Sequence, residues 1–208
     1  MAAQTAEALA ALGASTIGES GGRPMAPRIR AAYPGARVAG PACPVACTPG
    51  DNLAVHVAAA TAEPGAVLVV TVGDEPERGY WGEVLTTLAQ ARGIAGLVID
   101  GGVRDVDALQ AHGFPVFSAL VALRGATKVQ PGRIGAPVTV GGVEVAAGDW
   151  VVGDTDGVAV IPGDALATVL EAGRARATSE QRVFADLRAG RTTIELFGLD
   201  PTRVERSD

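Results

Sequence analysis

Arg104-Asp105 is the pair in this sequence best placed to do chemistry, because it follows Asp100-Gly101-Gly102-Val103 at what reads as the start of a helix. Arginine grips a carboxylate through two parallel hydrogen bonds, and an aspartate offers oxygen to a hard divalent cation. As an isolated pair these residues read first as a helix cap, Asp105, beside a surface ion pair. The glycines weaken that reading: they take backbone conformations closed to other residues and let the chain approach a ligand. Glu83 lies 22 residues before Asp105, one strand crossover away, so both carboxylates can reach one sheet edge. Free N–H groups on a helix beginning near Gly82 would favour an anion there. Metal-binding carboxylate, carboxylate-binding arginine and amide cradle together suit a small 2-oxo acid.

The elements that must position these groups alternate along the chain. Residues 66–72 (AVLVVTV) are a nearly unbroken β-branched run, the mark of a strand covered on both faces. A helix over 81–92 with Gly93 as its stop, a strand over 97–99 ended by Asp100-Gly101-Gly102, a helix from Asp105 to His112 and a strand over 115–117 follow. This β-α-β-α-β rhythm predicts parallel strands with helical crossovers. Earlier, residues 2–12 read as a helix, 18–22 as a flexible stretch, 27–32 as a helical turn, 37–47 as a strand, and 51–60 as a helix capped by Asp51. Later, Gly141-Gly142 between β-branched runs predicts a hairpin over 137–145. Strands over 150–153 and 157–161, a helix over 163–182 and a helical or irregular tail complete the order. In such sheets ligands sit beyond the carboxyl ends of the strands, which selects the loops 73–82, 100–105 and 124–128.

Other chemistries fare less well. The formal net charge is −6 and the basic residues are scattered, which disfavours nucleic acid. No apolar run reaches bilayer length and the start carries no basic leader pattern, so the expectation is a cytoplasmic protein without membrane contact. Cys43 and Cys47 lack two further ligands at metal-site spacing and read as buried packing residues. Lys128, the only lysine, would be needed for Schiff-base chemistry but reads as a solvated loop cation. His112 reads as a cation at its helix C-terminus and His56 as a helix residue. Asp154 and Asp156 read as turn residues, and Tyr80 and Trp81 as either pocket wall or core.

Gly82-Glu83-Val84-Leu85, followed by Gly96-Leu97-Val98-Ile99-Asp100-Gly101-Gly102-Val103-Arg104-Asp105, resembles the signature of the class II 4-hydroxy-4-methyl-2-oxoglutarate/4-carboxy-4-hydroxy-2-oxoadipate aldolases. The RraA-like regulators of ribonuclease activity belong to the same family. The likeness continues through Gly113-Phe114-Pro115-Val116-Phe117, Gly148-Asp149 and Asp154-Thr155-Asp156-Gly157-Val158. It implies a single α/β domain over 1–208 with the swivelling β/β/α fold, a core at about 35–163 and a C-terminal helix at about 163–190. It also implies homotrimers or hexamers with interfacial sites. By resemblance Asp105 binds Mg²⁺ or Mn²⁺, Arg104 holds the pyruvate carboxylate and oxo group, and Glu83 holds a metal-bound water. The amides around Gly82, Val84 and Leu85 grip the carboxylate, and a neighbouring subunit's glutamate, best matched by Glu180, completes the site. The chain departs from the pattern at Ala108, where the family often carries an acid, and at Thr71, where Asp is common.

The implied activity is metal-dependent cleavage of a 4-hydroxy-2-oxo di- or tricarboxylic acid to pyruvate and a second oxo acid, with oxaloacetate decarboxylation beside it. Two alternatives remain open at this point. One is a non-catalytic RraA-like regulator that binds a ribonuclease. The other is a metal-enolate enzyme turned to dehydration or isomerisation.

Overall fold

The computed structural model of the chain describes residues 2–205. Helix α1 (Ala2–Glu19) leads into two short strands, β1 (Arg23–Pro24) and β2 (Arg30–Ala31), and then the long β3 (Val38–Ala46). Next come α2 (Leu53–Thr61), β4 (Val67–Thr71), β5 (Gly79–Trp81), α3 (Glu83–Ala91), β6 (Gly96–Val103), α4 (Val106–His112) and β7 (Val116–Val121). The second half adds β8 (Arg133–Ile134), the hairpin β9 (Val138–Val140) and β10 (Val143–Val145), and the strands β11 (Trp150–Asp154) and β12 (Gly157–Ile161). A 3-10 turn opens the long helix α5 (Leu166–Arg188), and α6 (Thr193–Phe197) follows it.

One curled sheet runs in the order β1-β12-β11-β3-β4-β6-β7-β2, with β5 joined to β6 and β8 to β3. Strand β3 belongs to both halves. Its residues 38–41 pair antiparallel with β11, and residues 42–46 pair parallel with β4. The parallel half β3-β4-β6-β7 carries the predicted crossover helices, which pack α2 on α3 and α3 on α4. Its strands are buried on both faces, with Val67 to Val70 at 0% exposure, as a run of β-branched residues requires. The antiparallel half is covered by α1 and α5, where Leu9, Ile17, Val152, Ile161 and Val169 form a second, smaller core. The fold is therefore α/β in the expected β/β/α arrangement. Core residues extend from Leu9 to Val169, beyond the expected limits of 35–163 on both sides.

Four local expectations change. Helix α1 does not stop at Leu12: Gly13 breaks it (φ 80°, ψ 163°), and it restarts because the buried Asp154 carboxylate accepts from the freed Ala14 N–H at 2.8 Å. Residues 27–32 are not a helical turn, since Pro27 and Arg28 turn and Arg30–Ala31 pair with Phe117 and Ser118 of β7. The sheet edge outcompetes a segment too short to close helical hydrogen bonds. Trp81 ends β5 rather than starting α3, and lies at 1% exposure, stacked on Phe114 with ring centres 5.6 Å apart. Strand β6 runs through Asp100-Gly101-Gly102 to Val103, so that segment is not a loop. Gly101 and Gly102 are required there for lack of a side chain rather than for unusual dihedrals. A Cβ on Gly102 would run into the Arg78 carbonyl, and one on Gly101 would sit 2.8 Å from Val72.

The hairpin forms as expected, with Gly141 (φ 58°) and Gly142 (φ 78°) both left-handed in a primed turn. Cys43 and Cys47 are free and half-buried rather than fully buried, and burial pushes the Cys47 thiol up to about 12, leaving it unreactive. Among the described residues no helix is long and apolar enough to cross a membrane.

Candidate active site

The carboxyl ends of β5 and β6 converge on a cavity of about 280 Å³. Strand β6 delivers Arg104 and Asp105 to it, while β5 delivers Gly82 and the first turn of α3. The two elements are locked in register by the Arg104 N–H, which donates to the Trp81 carbonyl at 2.9 Å. Asp105 then adopts φ 57° and ψ 38°, and it is the only non-glycine residue with positive φ among those described. That conformation costs an aspartate about 1–3 kcal/mol and tends to persist where surrounding structure imposes it for a purpose. Asp105 does not cap α4 with its side chain, contrary to the simplest reading of an Asp at a helix start. Its Oδ2 instead accepts from the Glu83 N–H at 3.1 Å and stands 3.8 Å from Arg104 Nε. A Cβ on Gly82 would collide with this carboxylate, so glycine is what allows β5 and the Asp105 side chain to close together.

Arg104 lies in a glycine groove. A Cβ on Gly79 would sit 3.1 Å from its Cδ, and one on Gly125 would sit 3.5 Å from its Nη1. The Arg104 side chain is 45% exposed, and among the described residues its only ion-pair partner is Asp105, at 3.8 Å. The first N–H groups of α3 have no intrahelical acceptors. Glu83 spends one on Asp105, while Val84 and Leu85 line the cavity. The structure thus gathers Gly82, Val84, Leu85, Arg104 and Asp105 around the cavity, whereas Glu83 meets Asp105 through its backbone N–H and does not itself line the cavity.

Glu83 has a partner the sequence did not suggest. His112, the last residue of α4, lies with Nε2 3.3 Å from Glu83 Oε1 and Nδ1 2.9 Å from Gln90 Oε1. Glu180 stands apart from the cavity of its own chain, on α5, paired with Arg176 at 2.9 Å, and Arg176 also pairs with Glu19.

Asn52, His56 and Lys128 also line the cavity; the loop 124–128 that carries Lys128 was expected at this sheet edge, while Asn52 and His56 were not. Lys128 is exposed, as expected, yet faces the site rather than open solvent alone. Asn52 Nδ2 donates to the Tyr80 carbonyl at 2.8 Å, while its buried Oδ1 has no protein donor. Burial, aided by the Lys128 charge and opposed by Asp51, lowers His56 and favours the neutral imidazole. The spacing Asp51-Asn52…His56 was the available signal, since positions four apart share a helix face. Tyr80 and Trp81 serve as core and wall at once. The Tyr80 hydroxyl donates to the Glu75 carbonyl at 2.6 Å, and the Trp81 indole donates to Thr86 Oγ1 at 2.8 Å.

The donor set fits a hard divalent cation that keeps water and substrate oxygens as ligands. Among the described residues Asp105 Oδ1 accepts no hydrogen bond, the side chain is 42% exposed, and Mg²⁺ commonly takes one or two protein carboxylates. Among the described residues no three His, Cys, Asp or Glu side chains cluster as a closed protein cage, so a structural zinc-type site is not what this geometry builds.

A glycine-lined arginine beside a strained aspartate, at the carboxyl edge of a β/β/α sheet, defines the class of protein. Residues 5–160 match the RraA-like family, described as Aldolase/RraA, and the chain belongs to that family. It is 37% identical over 145 residues to the "Putative 4-hydroxy-4-methyl-2-oxoglutarate aldolase" of Halalkalibacterium halodurans, covering 70% of this chain and 69% of that protein. An uncharacterized protein from Pseudomonas syringae pv. tomato superposes with a TM-score of 0.76 at 28% identity, over 89% of this chain and 85% of the other. Streptomyces coelicolor RraAS2, described as an unusual member of the RNase ES inhibitor RraA protein family, superposes with a TM-score of 0.75 at 25% identity, over 86% and 95%.

Proposed function

We propose that this chain is a class II, divalent-metal-dependent aldolase that cleaves a 4-hydroxy-2-oxo di- or tricarboxylic acid to pyruvate and a second oxo acid. Oxaloacetate decarboxylation is its companion activity, since both reactions pass through a pyruvate enolate. The observation that carries this reading is the convergence of Arg104, Asp105 and the free amides of Val84 and Leu85 on one cavity. Arg104 binds the substrate carboxylate and 2-oxo oxygen from one side, and the two amides take the carboxylate from the other. Asp105 would hold Mg²⁺ or Mn²⁺, which supplies Lewis-acid stabilisation of enolate charge when bound. Glu83 orders a water that moves the proton from the 4-hydroxyl oxygen and later to the enolate carbon. The neutral His56, Lys128 and Asn52 wall the part of the cavity left for the distal oxo acid.

The proposed assembly is a homotrimer or hexamer, in which Glu180 of a neighbouring copy would complete the site. Val84, Leu123 and Val129, exposed at 78%, 88% and 73%, offer apolar surface for that contact. The likeness to RraAS2 supports a second reading, a ribonuclease regulator. A protein that acts by binding alone has no need to hold Asp105 in a costly conformation beside Arg104.

The test is pyruvate release from oxaloacetate and from 4-hydroxy-4-methyl-2-oxoglutarate, with Mg²⁺ or Mn²⁺ and then with EDTA. Metal-dependent release that the chelator stops supports the lyase. Silence on both substrates from the folded protein rejects it and leaves the regulator or a metal-enolate enzyme of another reaction.

A further inference from the structure

We infer that Asp51 is a positioning residue of this site: its buried carboxylate clamps the segment 125–130 against the cavity and so sets where Lys128 stands. The inference rests on the cavity being the active site. Asp51 is 2% exposed, and both of its oxygens accept hydrogen bonds. Oδ2 accepts from Thr127 Oγ1 at 2.6 Å, Val129 N at 2.6 Å and Gln130 N at 3.1 Å, while Oδ1 accepts from Leu53 N at 2.8 Å. Backbone pairing adds to the clamp: Thr127 N donates to the Gly50 carbonyl and Asn52 N to the Thr127 carbonyl, each at 2.9 Å. The segment therefore lies along residues 50–52 like a strand one residue long.

Ala126 and Lys128 line the cavity, whereas the Thr127 hydroxyl and the Val129 and Gln130 backbone N–H groups bind Asp51. Burial alone would push the Asp51 carboxyl up. The Thr127 hydroxyl and the Val129, Leu53 and Gln130 amides outweigh it and bring the group down to about 2. The clamp is thus a permanent anion that satisfies four donors, and no neutral side chain of the same shape replaces it. An amide at this position would turn its own N–H groups toward donors.

The experiment compares wild type, Asp51→Asn, Lys128→Met and the double variant, each with intact oligomer and secondary structure. Steady-state oxaloacetate decarboxylation with Mg²⁺ is read together with backbone hydrogen exchange over residues 126–130. Asp51→Asn is expected to raise KM for oxaloacetate about tenfold while changing kcat less, and to speed exchange at Val129 and Gln130. In the Lys128→Met background the same substitution is expected to change KM by no more than about twofold, because its effect passes through Lys128. Additive losses, or exchange at Val129 and Gln130 that does not change, overturn the inference. Thr127→Val removes a single donor and gives a milder form of the same readout should Asp51→Asn fail to fold. If wild type releases no pyruvate, the lyase reading fails on its own. Hydrogen exchange then still decides whether Asp51 holds the segment, and calorimetry with oxalate decides whether the clamp affects anion binding through Lys128.

Discussion

Asp100 and Asp105 stand five residues apart at the end of one strand, and their surroundings are opposite. Asp100 is closed off: Arg28 Nε and Nη2 meet its two oxygens at 3.0 and 2.6 Å, and the Gly141 N–H donates at 2.9 Å. That arrangement joins the β2 region and the hairpin to the parallel sheet. Asp105 is open, with one 3.1 Å hydrogen bond from Glu83 and a backbone conformation that costs energy. A carboxylate that serves the scaffold has its donors supplied by the protein. One that serves a ligand is left short of them and held in place by backbone geometry. The same contrast separates Asp149 and Asp154 from the site: both are buried, Asp149 accepting from the Ala146 and Gly163 N–H groups and Asp154 from those of Ala14 and Asp156.

The sharpest way to break this contrast is Asp105→Asn. Asparagine tolerates the left-handed conformation, so thermal stability should hold, while metal-dependent pyruvate release should fall by at least about 10²–10³-fold. A variant that kept its turnover would return Asp105 to the scaffold class. Arg104→Lys comes next. It keeps the charge but loses the planar fork, and kcat/KM for oxaloacetate should drop about 10²-fold in a folded protein. Gly82→Ala is a purely steric probe, since its methyl group must displace the Asp105 carboxylate. Turnover is expected to fall about tenfold or more at a stability cost of about 1–3 kcal/mol, read by kinetics alongside denaturant unfolding.

Asp100→Ala should show the reverse pattern. Stability falls by about 1–2 kcal/mol, discounted because Arg28 is half exposed, while the folded protein keeps most of its turnover. Burial pushes the Asp100 carboxyl up, but the hydrogen bonds from Arg28 and Gly141 and the Arg28 charge hold it below its ordinary value of 3.8. Its contribution is therefore fully present above that value and lost as pH falls through the lower, folded one. The stability gap between wild type and Asp100→Ala, measured by urea titration, should accordingly narrow as the pH drops below 3.8.

Much of this architecture was legible before any coordinates. The run of residues 66–72 reads as a doubly covered strand, and Gly141-Gly142 between β-branched runs favours a primed turn. Both are local statements, carried by side-chain shape and by glycine's access to positive φ. The pairing of Gly82-Glu83 with Arg104-Asp105 was legible too, because one crossover has a nearly constant length. Asp100 was misjudged for a related reason: glycines usually signal a loop, and only the close approach of Arg78 and Val72 explains them inside β6.

Sequence by itself determined the alternation of the parallel half and that Glu83 and Arg104-Asp105 can reach one sheet edge, since both follow from periodicity or spacing; the fuller residue set around Arg104 came from the family resemblance. Tertiary structure alone decided that Asn52 and His56 face the same cavity as Lys128, that His112 meets Glu83, and that Asp51 holds the segment bearing Lys128. These contacts join residues 28 to 79 positions apart. No local preference encodes them, because they depend on how strand register and helix packing bring separate crossovers to a single sheet edge.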